Sequence, residues 1–221
     1  MTMPVPVMSR IAGSLFSGGA VLAIVAAACA AVAASLVLVP DGGGLWGAGL
    51  AVLMVAIAAF DARLLIIPDQ LTLAALALGL AHAAAEAPAD AMLAALGWTL
   101  VRGAAPGLAF LMVRFLYRWW RGRDGIGLGD VKLAAVGGVW LDWTAIPVAV
   151  DIAAVAALAV YLVIYLFPGL LPKRSRGRAQ RSIRAVRLPF GLFLAPAIWL
   201  AFIADATLLS DPFGPTMFSL F

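Results

Sequence analysis

Residues 11–39 read IAGSLFSGGAVLAIVAAACAAVAASLVLV, a run without one charged side chain. A helix that crosses a bilayer needs about 20 consecutive apolar residues, and this stretch exceeds that length. The rest of the chain keeps the same character. Of its 221 residues, 65% are hydrophobic and 12% are charged, and the mean hydropathy is +1.07. A soluble domain is about 45–50% apolar and about 25% charged, and a disordered chain needs low hydrophobicity with high charge. Composition therefore argues against both. It predicts an all-α fold: a polytopic integral membrane helix bundle of about seven transmembrane helices.

Seven spans can be marked. They cover Ile11–Val39, Leu45–Phe60, Leu71–Ala85, Ala91–Tyr117 (interrupted by Arg102), Val131–Leu141, Ala145–Phe167 (containing Asp151) and Pro189–Ala204. The third and fifth are short for a full crossing and need tilt or shielding by neighbours. Residues 1–221 are read as a single transmembrane domain, with an N-terminal helix and short loop in 1–44 and a helical core in 45–204. A signal peptide is the rival reading of the first run, but its apolar length exceeds a typical h-region.

Orientation follows from charge. With the N-terminus cytoplasmic, the basic residues gather in the N-terminal tail, in 61–70, in 118–130 and in 173–187, whereas the opposite loops carry only acids: Asp41, Glu86, Asp90, Asp142, Asp205 and Asp211. This positive-inside bias predicts seven spans with the C-terminus outside. It also explains the net charge of +4 without invoking nucleic acid. The run Lys173–Arg187 reads as a solvated loop beside anionic lipid, and Tyr117, Trp119 and Trp120 as an interfacial aromatic belt. The lipid bilayer is thus the first partner expected; the oligomeric state is not legible.

Composition also narrows the chemistry. Cys29 is the only cysteine and His82 the only histidine. Disulfide scaffolds, Cys-rich zinc sites, His-based metal sites and Ser-His-Asp triads are argued against, so neither metal nor cofactor is expected. Catalysis would have to come from carboxylates.

Two segments stand out. One is Phe60-Asp61-Ala62-Arg63-Leu64-Leu65-Ile66-Ile67-Pro68-Asp69, at the exit of the second span. The other is Gly125-Ile126-Gly127-Leu128-Gly129-Asp130-Val131-Lys132, at the entrance of the fifth. The topology places both at the cytoplasmic boundary, where helix packing can bring Asp61 and Asp130 face to face. Two close carboxylates do not both ionise easily, so they share a proton. The ionised member can activate a water, and the protonated member can donate to a scissile carbonyl. Glycines 125, 127 and 129 give the backbone room to turn sharply and approach an extended substrate.

Each residue also has a plainer role. Asp130 can serve as the N-cap of the next helix. Asp61 can pair with Arg63 or a loop arginine. Asp69, after Pro68, can cap the third span. Arg102 and Asp151 are expected to pair across helices, and His82, beside Glu86, to be an interfacial side chain. A proton-coupled transporter using Asp61, Asp130, Asp151 and Arg102 is the rival function, although transport sites typically lie near the midplane. A non-catalytic membrane assembly factor is another.

The combination resembles the type IV prepilin peptidases, membrane aspartic proteases with a Gly-x-Gly-Asp signature. Three pieces match in order: Asp61 followed by Ile67-Pro68-Asp69; Gly127-Leu128-Gly129-Asp130-Val131-Lys132-Leu133, with Gly137, Gly138 and Trp140 after it; and Pro189-Phe190-Gly191 following a basic loop. The resemblance implies a peptidase-like helical core and an endopeptidase that removes the short basic leader of prepilins and pseudopilins at the cytoplasmic face of the bacterial inner membrane. It implies Asp61 and Asp130 as the catalytic pair, with Gly127, Gly129, Lys132 and Asp69 in substrate binding or loop geometry. Many members also carry a domain with paired cysteines and methylate the new N-terminus. Here only residues 40–44 link the first two spans, so the likeness is to the peptidase portion. In the third piece the family usually continues with proline, whereas Leu192 follows Gly191 here.

Overall fold

Apolar runs punctuated by Pro, Gly and charged turns produce seven helices, with no strand, among the described residues. These are α1 (Gly18–Leu38), α2 (Gly43–Leu64), α3 (Asp69–Glu86), α4 (Met92–Arg121), α5 (Leu128–Trp140), α6 (Ala145–Leu166) and α7 (Gly191–Leu208). The structure, a computed structural model, describes residues 18–39, 42–122, 125–166 and 189–208. Arg10, Asp41, Arg123, the basic run Lys173–Arg187 and Asp211 lie outside them.

The fold is the expected helical membrane bundle. Helices α1, α2 and α4, with residues Ala145–Val163 of α6, are long and apolar enough to cross a membrane, while α7 is a shorter apolar helix. The boundaries depart from the sequence reading in one consequential way. Helix α2 runs on to Leu64, so Asp61 is a helical residue in its last turn rather than part of a loop. Leu65 ends the helix in the left-handed region (φ 54°), returning its N–H to the Asp61 carbonyl at 3.0 Å. Pro68 then fixes an extended backbone at the entrance to α3.

The short α5 is accommodated by neighbours, not by length. It buries Leu133, Ala134, Val136, Gly137, Gly138, Val139 and Trp140, which covers most of its circumference. Helix α4 approaches it closely through small residues. A Cβ on Gly138 would run into the Arg102 carbonyl and stand 2.7 Å from Pro106 Cγ, and a Cβ on Gly103 would lie 2.6 Å from Val139. Pro106 has no N–H to offer the Arg102 carbonyl four residues earlier, and Gly138 supplies the close Cα neighbour instead. On the other side, Trp140 Nε1 donates to the Ala75 carbonyl of α3 at 2.9 Å.

Helices α2, α5 and α7 form the centre. Leu50, Met54 and Ile57 of α2 meet Leu133 and Val136 of α5 and Leu194 and Ile198 of α7, all at most 1% exposed. Helix α1 joins this centre through Ser35, which is buried and accepts a 3.0 Å hydrogen bond from Trp199 Nε1. The packing gathers the C-terminal end of α2 and the N-terminal ends of α3, α5 and α7 into one region.

Candidate active site

Asp61 reaches this region from the last turn of α2 and is 6% exposed. Its Oδ2 accepts the backbone N–H of Leu192, in the first turn of α7, at 2.8 Å. Asp130 arrives from α5 and faces the same point: the Gly191 N–H interacts with both carboxylates. The two acids, 69 positions apart in sequence, therefore meet across one backbone amide. Gly191 is dictated by this approach, because a Cβ there would stand 2.8 Å from Asp61 Oδ2 and 2.8 Å from Ile67 Cδ1.

Asp130 is not an N-cap. Gly127 holds that position, and Asp130 is the third helical residue, its Oδ2 accepting the Gly127 N–H at 3.3 Å. It stands before the apolar part of α5. Burial pushes its carboxyl up to about 6, and the neighbouring Asp61 charge pushes the same way, against the Gly127 and Gly191 donors. One proton is therefore retained here at a pH where an ordinary aspartate has lost it.

The glycine loop works differently from the sequence expectation. Among the described residues only Gly122 and Leu65 lie in the left-handed region, so glycines 125, 127 and 129 serve no left-handed turn. They serve close contact. Tyr117 covers Gly125, with its ring carbon 2.6 Å from where a Cβ would be, and Ile67 covers Gly129 at 3.1 Å. Arg114 donates to the Ile126 carbonyl and holds the loop to α4.

Asp69 is also not a capping side chain, since Pro68 occupies the N-cap of α3. Its carboxylate instead accepts Lys132 Nζ at 2.5 Å, an exposed ion pair that ties the start of α3 to the start of α5. The expected Arg102–Asp151 pair does not form. Arg102 lies at the other end of α5, where it pairs with Asp142 and donates to the Gly138 and Val139 carbonyls at 3.1 and 3.3 Å. Asp151 is exposed on α6. The reason is that a C-terminal helix end offers carbonyls without helical partners, which suit a guanidinium fork. His82 stacks on Trp140 (12° between rings) and touches Trp46 and Phe202, so it is packed among aromatics.

Ile67, the Leu192 amide and Arg114 were not among the residues assigned from sequence. Ile67 lies inside the Phe60–Asp69 segment, and Leu192 follows directly on Pro189-Phe190-Gly191. The Arg114 contact had no local signal.

With this geometry in view, similarity to known proteins can be read. The type IV leader peptidase family matches residues 48–163. The prepilin leader peptidase/N-methyltransferase of Burkholderia pseudomallei is 45% identical over 96 residues, which are 43% of this chain and 27% of that protein. That of Pseudomonas putida is 32% identical over 104 residues, 46% of this chain and 31% of it. The leader peptidase HopD of Escherichia coli is 39% identical over 88 residues, 40% of this chain and 50% of it. The matched stretches thus span between about a quarter and a half of these relatives. No solved structure matches the chain. Residues 48–163 include Asp61, Asp69, Asp130 and Lys132 but stop short of α7.

Proposed function

The chain belongs to the type IV leader peptidase family, and from that premise we propose that it is an aspartic endopeptidase that removes the leader of prepilin-like proteins, with Asp61 and Asp130 as its catalytic pair. It is a bacterial membrane protein by its apolar helices and its relatives. The observation that carries the reading is the meeting of both carboxylates at the Gly191 amide.

The chemistry follows from that meeting. A water held between the acids is deprotonated by the ionised carboxylate as it attacks the scissile carbonyl. The protonated carboxylate donates to the carbonyl oxygen. Collapse of the tetrahedral intermediate then breaks the C–N bond, and the proton first taken from water leaves on the new amine. Gly127 and Gly129 hold the loop that seats Asp130, and the Asp69–Lys132 pair keeps α3 and α5 in register beside it. The substrate is the prepilin class: a basic leader in water and a hydrophobic helix in the bilayer.

The proposed setting is the inner membrane, with the N-terminus inside, the C-terminus outside and the dyad toward the cytoplasm. Arg63, Arg114, Arg118 and Arg121 lie toward the dyad end, whereas Asp142 lies at the opposite end of α5. That distribution supports cytoplasmic placement of the dyad.

The test incubates the purified protein in detergent with a prepilin-type substrate and weighs the product. Loss of the leader mass in wild type, and its retention with Asp61→Asn and with Asp130→Asn, is the expected result. Cleavage by either variant removes that residue from the pair. The N-terminal group of the product reports at the same time on methylation.

A further inference from the structure

The two acids are held unequally, and this assigns their roles. We propose that the first turn of α7 divides the labour of the dyad: the Leu192 amide holds Asp61 as the ionised base, leaving Asp130 as the proton-bearing acid. The inference rests on the peptidase reading and deepens it. Leu192 is a positioning residue here, acting through Asp61 and not on substrate.

The argument begins with what α2 cannot supply. Asp61 sits in the C-terminal turn of its own helix, where the helix dipole is negative and disfavours a carboxylate. Asp130, by contrast, sits in the first turn of α5, where the dipole favours charge. Dipoles alone would make Asp130 the ionised partner. Helix α7 reverses the order by aiming its own amino-terminal amides at Asp61. The Leu192 N–H also reaches the Pro189 carbonyl at 3.3 Å, but its bond to Asp61, at 2.8 Å, is the shorter and lies against a buried oxygen. Asp130 shares the Gly191 N–H with Asp61, and the bond it receives alone, from Gly127, is longer, at 3.3 Å, and more exposed. Both Oδ2 atoms accept a backbone N–H, but the shorter bond favours the charged form more, so the proton is seated better on Asp130 than on Asp61. The missing Cβ of Gly191 is what lets the α7 amides come this close. Proline at position 192, the residue with which the family usually continues, would have no N–H to give while still fitting the first turn of a helix, so this device belongs to the present chain, with its Leu192, and not to the family at large.

Two experiments test this. In the first, the pH profile of kcat/KM for prepilin cleavage is compared between wild type, Leu192→Ala and Leu192→Pro. Leu192→Ala keeps the amide and should keep the wild-type acid limb. Leu192→Pro should move the acid limb to higher pH by about one unit, so that cleavage on that limb falls about tenfold, the size expected for one lost hydrogen bond to a charged group. An acid limb unmoved in Leu192→Pro overturns the proposal.

The second experiment needs neither cleavage nor a folded proline variant. The Leu192 amide proton of the wild type, labelled with 15N-leucine in micelles, is followed as pH changes. Its shift should follow ionisation of the base, with its main step on the acid side of the Asp130 titration, and should lose that step in Asp61→Asn. A main step that coincides with the Asp130 titration would make Asp61 the proton carrier and overturn the assignment. If wild type shows the amide titration but cleaves no prepilin, the substrate reading fails while the division of labour stands.

Discussion

The two ends of α5 treat charge in opposite ways. At the C-terminal end Arg102 enters from α4 with 17% of its side chain exposed, and each of its three nitrogens donates to an acceptor: Asp142, Gly138 O and Val139 O. At the N-terminal end two acids face each other across one amide, and burial keeps a proton on Asp130 to about pH 6. A compensated charge fastens two helices together, whereas two facing acids that share a proton are what the proposed chemistry requires. The comparison teaches where substitutions should stop chemistry and where they should loosen the bundle.

The largest effect is expected at the uncompensated end. Asp61→Asn or Asp130→Asn should lower leader cleavage by about 10³-fold or more, since a general acid or base alone contributes roughly 10²–10⁴. The thermal midpoint in detergent should not fall. A variant that loses cleavage and stability together would make the acids structural and erase the contrast between the ends.

The compensated end should behave in reverse. Arg102→Leu leaves Asp142 and two carbonyls of α5 without their donor, a cost of about 2–4 kcal/mol by the usual penalties for broken, partly buried polar groups. Gly138→Ala should cost a similar amount, because the new methyl group meets backbone at the α4–α5 seam. Both are read from thermal or denaturant midpoints in micelles. Cleavage per folded molecule should stay within about threefold of wild type. A tenfold loss at unchanged midpoint would couple this end to the chemistry.

A smaller effect has a definite sign with pH. The carboxyl of Asp130 is raised in the fold, so its protonated form is the one the fold favours. Its contribution to stability is therefore complete below about pH 4, the unfolded value, and is lost as pH rises through about 6. Above pH 6 Asp130→Asn should be more stable than wild type, by about 1–3 kcal/mol, and the two should converge at pH 4. The same proton sets the alkaline limb of wild-type cleavage, which should fall as pH rises through about 6. Equal midpoints at pH 7.5 would mean that the charge at 130 is already compensated, like Arg102.

How much of this could be read beforehand depends on the range of the interaction. The apolar runs and the turn residues between them act locally, and they placed the seven helices of the described residues to within about four residues, residues 11–17 of the first run lying outside the described ones. The pairing of Asp61 with Asp130 needed only topology and a motif. What stayed hidden was set by packing of distant segments. The partner of Arg102 is a helix end 36 to 40 positions away, and a hydrophobicity pattern carries no register between α4 and α5. Asp151 looked equally suitable because it too was a lone acid in an apolar run. The Leu192 amide was invisible for a different reason: a backbone donor leaves no trace in residue type, and only the absence of a side chain at Gly191 pointed to it. Glycines 125, 127 and 129 were expected to let the backbone turn sharply and approach a substrate; in the fold their missing Cβ atoms make room for Tyr117, Asp130 and Ile67, with no left-handed turn.

The smallest effect is expected between the two extremes, at the Asp69–Lys132 pair. It is a formally compensated pair at the uncompensated end, with side chains 64% and 45% exposed. Exposed ion pairs of this kind contribute about 0–1 kcal/mol and fade with salt. Lys132→Met should therefore move the thermal midpoint by no more than a degree or two, and the difference should shrink further at high ionic strength. Its influence on cleavage should act through the register of α3 and α5, and so through the seating of Asp130. Such an effect lowers kcat with little change in KM, and the Asp69→Asn, Lys132→Met double variant should be no worse than either single one. If Lys132→Met instead raises KM and leaves kcat alone, Lys132 contacts the substrate directly, and the line between holding the dyad and binding the leader must be redrawn through that residue.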